Sequence, residues 1–363
     1  MNKKRILIMA GGTGGHVFPA LAIAEALREK GHDVTWLGTQ QGIEARIIPQ
    51  AGFTLRFITI GGVRGKGFLQ TLLSPFKIGI ATFQAFKIIR ALKPDIVIGL
   101  GGFASGPGGI AAFMQRIPLF IHEQNAIPGM TNWMLAHVAK KIMQAFPNTF
   151  PPRYKPILTG NPVRARILQL PSPEIRFRER HGPLRILLLG GSGGALTLNQ
   201  TLPDTLALLP HTSYDVWHQT GITHLTSTQQ RYAELGITHI KIDAFITDMA
   251  EAYGWADLVI CRAGALTIAE LAAAGVASIL IPYPFAVDDH QTKNALFLVE
   301  KGAAILLPQS QLTAHRLAQI IQTTSRAQLI EKAKSAYQLR IVDAAEQVIS
   351  TCEISNYNTS SRA

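Results

Sequence analysis

The stretch RILIMAGGTGGH (residues 5–16) is an apolar run that breaks directly into a glycine-rich loop ending in histidine. Ile6 to Ala10 carries no polar side chain, which is the pattern of a strand buried on both faces of a parallel sheet. Glycines directly after such a strand let the backbone turn sharply and present its N–H groups. The helix that follows, running through Pro19, adds the partial positive charge of its N-terminus. Strand, turn and helix together make a site suited to anions and other polar ligands. RILLLGGSGGA (185–195) repeats the construction. Only the first copy ends in histidine.

Outward from these two stretches, apolar runs alternate with helical patterns along the chain. DVTWLG, PDIVIGLGG and IPLFIHEQ follow the first, and YDVWHQTG, IKIDAFI, ADLVICRAGA and ASILIPYP follow the second. Strands apolar on both faces and separated by helices predict an α/β fold of two doubly wound parallel-sheet domains. A chain of 363 residues exceeds what one core comfortably fills. The joint is expected in FPNTFPPRYKPILTGNPVR (146–164), which holds five prolines. The expected divisions are 1–160, 161–340 and a C-terminal helix and tail over 341–363.

Composition narrows the partners. A formal net charge of +12 favours an anionic one: nucleic acid, a phosphorylated substrate or acidic lipid. Two cysteines cannot build a disulfide framework, and neither has metal-site spacing. No window approaches the ~20 apolar residues of a membrane-spanning helix, and Ile6–Ala10 is too short for a signal sequence. A protein soluble inside the cell, or lying on a membrane surface, is expected.

Nicotinamide chemistry is disfavoured. Counting from Gly12, the last glycine of GxGxxG is replaced by Val17, and the end of DVTWLGT lacks the acidic residue that would hold a ribose. No GxxxxGK[ST] phosphate loop is present.

Several clusters carry chemistry. His16 ends the first loop near a helix N-terminus, where a neutral ring able to accept a proton is favoured. IHEQN (121–125) places polar side chains at the end of an apolar strand. There Glu123 is a base or an orienting partner, and Asn125 reads donors and acceptors alike. Arg164, in GNPVR, has the permanent charge and planar donor fork that suit a diphosphate. Glu270, in CRAGALTIAELAAAG (261–275), has two oxygens for a ribose diol. In YPFAVDDHQTKNA (283–295), Asp288, Asp289, His290, Gln291 and Asn294 crowd a loop suited to sugar hydroxyls. Its contiguous Asp-Asp-His lacks metal-ligand spacing. In 65–94, Phe76, Ile80, Phe83 and Phe86 recur at helical spacing among Lys66, Lys77, Lys87, Arg90 and Lys93. An apolar stripe with a basic rim suits either the core or an anionic membrane surface.

GGTGGHVFPALAIA, GLGGFASGPGG, HEQNAIPG, GNPVR, GGSGGA, FITDM, CRAGALTIAE and DDHQTKNA occur in this order from Ile6 to about Val348. As a set they resemble the MurG family, the peptidoglycan glycosyltransferases that make lipid II. The resemblance implies a GT-B fold, two Rossmann-like domains facing across a cleft. It implies transfer of N-acetylglucosamine from UDP-N-acetylglucosamine to the 4-hydroxyl of undecaprenyl-pyrophosphoryl-N-acetylmuramoyl-pentapeptide (lipid I), with inversion, no metal and no cofactor.

Carried over by motif, Thr13, Gly14 and Gly15 would line the sugar and acceptor side, and Asn125 the donor sugar. Arg164 and Ser192 would meet the diphosphate. Ile246 would hold the uracil, with Ala265, Leu266, Thr267 and Ile268 beside the nucleotide. Glu270 would take the ribose and Gln291 the sugar hydroxyls. Ala269 stands where many members have serine. The general base would be His16 or, second, Glu123. The lipid acceptor turns Phe76, Lys77, Ile80, Phe83, Lys87 and Arg90 into an expected contact with an anionic membrane at its cytoplasmic face, with no nucleic acid partner. The remaining readings are another UDP-sugar transferase of the same fold and a non-catalytic membrane-surface scaffold.

Overall fold

The structure, a computed structural model, describes residues 3–61, 74–191 and 194–354. The chain divides into two compact units, one of residues 1–162 with 343–363 and one of residues 163–342.

The first unit is built on β1 (Arg5–Met9), β2 (Asp33–Gly38), β3 (Thr54–Phe57), β4 (Ile96–Gly99), β5 (Leu119–Glu123), β6 (Lys141–Gln144) and β7 (Ile157–Leu158). They form one parallel sheet in the order β3-β2-β1-β4-β5-β6-β7. The uninterrupted apolar reading of β1 follows from its central place. Ile6 and Ile8 enter a core with residues of helices Gly14–Glu29 and Glu44–Gln50. Leu7 and Met9 enter a second core with residues of helices Ser74–Leu92, Ser105–Met114 and Met130–Leu135.

The second unit contains β8 (Leu184–Leu189), β9 (Tyr214–Gln219), β10 (Ile240–Asp243), β11 (Leu258–Cys261), β12 (Ala277–Leu280) and β13 (Ala304–Leu306). These also run parallel, in the order β10-β9-β8-β11-β12-β13. Helices Leu196–Leu206 and Ala314–Thr323 supply Leu198, Leu202, Leu206, Leu317 and Ile321 to its core.

The change of unit after Pro162 falls inside the proline-rich stretch expected to hold the joint, whereas the C-terminal segment departs from expectation. The proline-rich stretch is not merely a joint, because Ile157 and Leu158 pair with Met143 and Gln144 and close the first sheet. The C-terminal helix Ala344–Ile354 is no separate piece: it packs on helix Gly14–Glu29 and places Val348, Ile349 and Cys352 in the first unit's core. Both cysteines are buried and unbridged, Cys352 in the first unit and Cys261 in the second. Among the described residues no helix is long and apolar enough to cross a membrane.

Candidate active site

In each sheet the strand order reverses beside the first strand, between β1 and β4 and between β8 and β11. Ligands of open parallel sheets gather at such switch points, beyond the strands' carboxyl ends. Both glycine loops leave from there. The first runs into a helix that begins at Gly14 behind Thr13 at the cap, so His16 stands in the first turn. Pro19, inside that helix, has no N–H to offer the carbonyl of Gly15. Gly12 carries φ +91°, which side-chain-bearing residues rarely adopt.

The turn after β4 presses against this loop. A Cβ on Gly102 would collide with the carbonyl oxygen of Gly11. One on Gly101 would stand 2.9 Å from Cδ2 and 3.0 Å from Nε2 of His16. The imidazole is therefore seated against bare backbone, half-buried, with Nδ1 3.4 Å from the Thr13 hydroxyl. Thr13 and Gly15 are exposed and Gly14 is half-buried.

Glu123 ends β5 buried, and both its oxygens are occupied. Oε1 accepts from the backbone N–H (3.0 Å) and side-chain amide (3.2 Å) of Asn125. Oε2 accepts from the N–H of Gly129 (3.0 Å) and the amide of Asn132 (2.9 Å). The carboxylate thus clasps the turn from 123 to 132 and holds Asn125 in place. His122 and Gln124 also turn inward. His122 donates Nε2–H to the carbonyl of Gly160 (2.9 Å), and its Nδ1 faces the amide of Gln124 at 3.1 Å. Burial lowers the His122 pKa, against the opposing pull of that carbonyl and of Glu123. Asn132 is a site residue the motifs did not single out, since nothing in MTNWML distinguishes it from a surface amide.

In the second unit, Glu270 lies at the middle of helix Ala265–Ala274, buried at its inner face. Its Oε1 accepts from Nε (3.2 Å) and Nη2 (2.8 Å) of Arg164, and its Oε2 from the hydroxyl of Tyr253 (3.1 Å). Burial and the neighbouring Glu270 push the Tyr253 pKa well up, so the phenol stays a donor. Ala265 and Ile268 are buried, while Leu266, Thr267 and Ala269 are half-buried around the same helix start. Ile246 is buried after β10. Gln291, in helix His290–Val299, accepts the N–H of Tyr283 at 2.9 Å, which fixes the turn after β12. Asn294 is fully buried and donates to the carbonyl of Ala263 (3.2 Å), so it shapes the turn after β11 and faces no surface where a sugar would be read. Arg262, unremarked within its motif, ties that turn to the carbonyls of Ile281 and Pro282, both at 3.1 Å. Ser192 lies outside the described residues.

Helix Ser74–Leu92 resolves the choice between core and surface for its apolar stripe. Ala81, Ala85 and Ile89 face the core, whereas Phe76, Ile80 and Phe83 are 71%, 43% and 59% exposed. Phe86 departs from the expected stripe and packs half-buried against the core. Lys77, Lys87 and Arg90 are exposed, with Lys87 Nζ 4.5 Å above the Phe83 ring. Helix Ser105–Met114 packs beside it and ends in exposed Phe113 and Met114. The part of the 65–94 stretch before Ser74 lies outside the described residues.

Comparison with known proteins matches the glycosyltransferase family 28 N-terminal domain over residues 6–144 and the family 28 C-terminal domain over residues 185–348. A curated relative from Nitrosomonas eutropha, the UDP-N-acetylglucosamine–N-acetylmuramyl-(pentapeptide) pyrophosphoryl-undecaprenol N-acetylglucosamine transferase, is 53% identical over 349 residues, 96% of this chain and 98% of its own. The protein of that name from Coxiella burnetii is 51% identical over 352 residues, with the same coverage. Among solved structures, Acinetobacter baumannii MurG superposes with a TM-score of 0.84 at 44% identity, over 97% of this chain and 99% of the other.

Proposed function

The chain belongs to glycosyltransferase family 28, and from that premise we infer how its residues move N-acetylglucosamine from UDP-N-acetylglucosamine to lipid I, giving lipid II. One observation carries the reading: near-50% identity to transferases of that name extends over 96% of the chain, and so over both units.

The acceptor's 4-hydroxyl attacks the anomeric carbon from the face opposite UDP, so the configuration inverts. As the new C–O bond forms, the hydroxyl proton passes to His16 and the bond to the UDP oxygen breaks. The tautomer with Nδ1–H towards Thr13 makes Nε2 the basic nitrogen. Glu123 is the weaker candidate because four donors already occupy it. Its place is to hold Asn125 for the donor sugar, while Thr13, Gly14 and Gly15 line the acceptor side. Negative charge grows on the departing diphosphate. The N-terminus of helix Leu196–Leu206, the second glycine loop with Ser192, and Arg164 stabilise it. Glu270 takes the ribose hydroxyls, Ile246 the uracil, Ala265–Glu270 the rest of the nucleotide, and Gln291 the sugar. The chemistry asks no cofactor and no metal of these residues.

Lipid I is anchored in a membrane, and Phe76, Ile80 and Phe83 with Lys77, Lys87 and Arg90 suit an anionic bilayer at its cytoplasmic face. Incubation of the protein with radiolabelled UDP-N-acetylglucosamine and lipid I should yield a labelled lipid. An unlabelled lipid fraction would remove the reading.

A further inference from the structure

Beneath the first glycine loop lies a carboxylate that no motif announces. Glu44 begins helix Glu44–Gln50 and is fully buried. Its Oε2 accepts from the backbone N–H of Gly12 (3.0 Å). Its Oε1 accepts from the backbone N–H (3.0 Å) and the hydroxyl (2.8 Å) of Thr39, just past β2. Three glycines make room for it. A Cβ on Gly11 would stand 2.5 Å from Oε1, one on Gly38 would stand 2.7 Å from Cγ, and one on Gly42 would overlap the carboxylate.

Burying a carboxylate among neutral donors is costly, and an aliphatic side chain fills a core more cheaply. What only the carboxylate supplies here is an acceptor on both oxygens, one bound to the first loop and the other to the neighbouring turn. We propose that Glu44 is a positioning residue of the transfer reaction: it fixes Gly12, and through Gly12 the direction in which Thr13 and His16 enter their helix. This rests on the reading of His16 given above. Gly12 holds φ +91°, and glycine alone does not prefer that value strongly over others. The Gly12–Glu44 bond selects it. Releasing that bond lets the first helical turn drift, and a drift of about 1 Å at a proton acceptor lowers turnover by roughly 100-fold. Glu44 touches no substrate in this scheme.

Glu44→Gln preserves size but points an NH2 at donors on one side. With lipid I and UDP-N-acetylglucosamine, its kcat should fall by roughly tenfold or more. Its Kd for UDP should stay within about twofold of wild type, because the residues assigned to UDP lie in the other unit. Glu44→Asp should recover part of the turnover. Ile48→Val, a buried change in the same helix, serves as the stability control and should keep wild-type kcat at a comparable loss of Tm. Wild-type turnover in folded Glu44→Gln overturns the proposal, and so does an equal fall in kcat for Ile48→Val. If Glu44→Gln does not fold, Glu44→Asp is judged by the same two criteria. A wild-type chain that makes no lipid product would overturn the transferase reading instead, so the two failures are distinguishable.

Discussion

Arg164 and Glu270 grip each other across 106 residues of sequence, Nε and Nη2 of the guanidinium both meeting Oε1 of the carboxylate. Read separately in the sequence, one suits a diphosphate and the other a ribose. The pair joins the two assignments, because a ligand that draws Arg164 to its phosphates also uncovers an oxygen of Glu270 for its sugar. Hydrogen bonds to charged groups contribute about 1.5–3 kcal/mol. Glu270→Ala should therefore weaken UDP binding by roughly 10- to 100-fold in calorimetric titration. Arg164→Ala should weaken it too, and the double variant should lose less than the sum of the two. Strict additivity would separate the roles.

His16→Ala should lower kcat by about 100- to 10,000-fold, the range for loss of a general base. UDP affinity should hardly change. Steady-state kinetics with both substrates varied checks this, and unaltered turnover would remove His16 from the chemistry.

Glu123→Gln is expected to act on stability first. It places an amide among the four donors that now meet the carboxylate, at a cost of about 1–3 kcal/mol. Urea unfolding should show a lower midpoint. A variant as stable as wild type but inactive would restore Glu123 as the base.

His218 predicts an acid limit. It is buried between the Tyr232 hydroxyl and the Asn199 amide oxygen, each 3.0 Å from a ring nitrogen, and burial lowers its pKa from 6.5 to about 3. Between those values the unfolded chain binds a proton that the folded one does not. Stability from this site is complete above about pH 6.5 and falls by about 1.4 kcal/mol per unit as the pH drops towards 3. His122, lowered by its own burial, adds in the same direction. Urea midpoints at pH 7, 6, 5 and 4 should decline, and His218→Gln should flatten the decline.

Charge reversal at Lys77, Lys87 and Arg90 should reduce sedimentation with anionic vesicles. Each basic residue near such a surface contributes about 1 kcal/mol, so loss of three lowers partitioning by roughly 100-fold and their reversal by more. Equal partitioning would leave exposed Phe76, Ile80 and Phe83 without that explanation.

The central strands, their loops and the two-unit plan were legible because strands buried on both faces leave an unbroken apolar signature. Three of the four edge strands were not, the exception being Ile240–Asp243 within IKIDAFI. Thr54–Phe57 is mostly exposed, Ile157–Leu158 is two residues among prolines, and Ala304–Leu306 is three. Candidate site residues that end a strand or sit in a glycine motif could also be named from the sequence. Glu44, Asn132 and Arg262 could not, because each acts on backbone that only the fold brings within reach. Phe86 shows the limit of helical spacing alone, since it sits on the border between the two faces of its helix.

The helix from Ala344 to Ile354 has a consequence for how the protein is made. It completes the core that Ile6, Ile8 and Val17 begin, so the first unit stays unfinished until the ribosome has built all of the second. Val348 and Ile349 are each fully buried there, a gain of about 1.5–3 kcal/mol per side chain that arrives only after the second unit has been made. The nascent chain therefore carries the strand and loop of His16 with part of their cover missing while the second unit is being made.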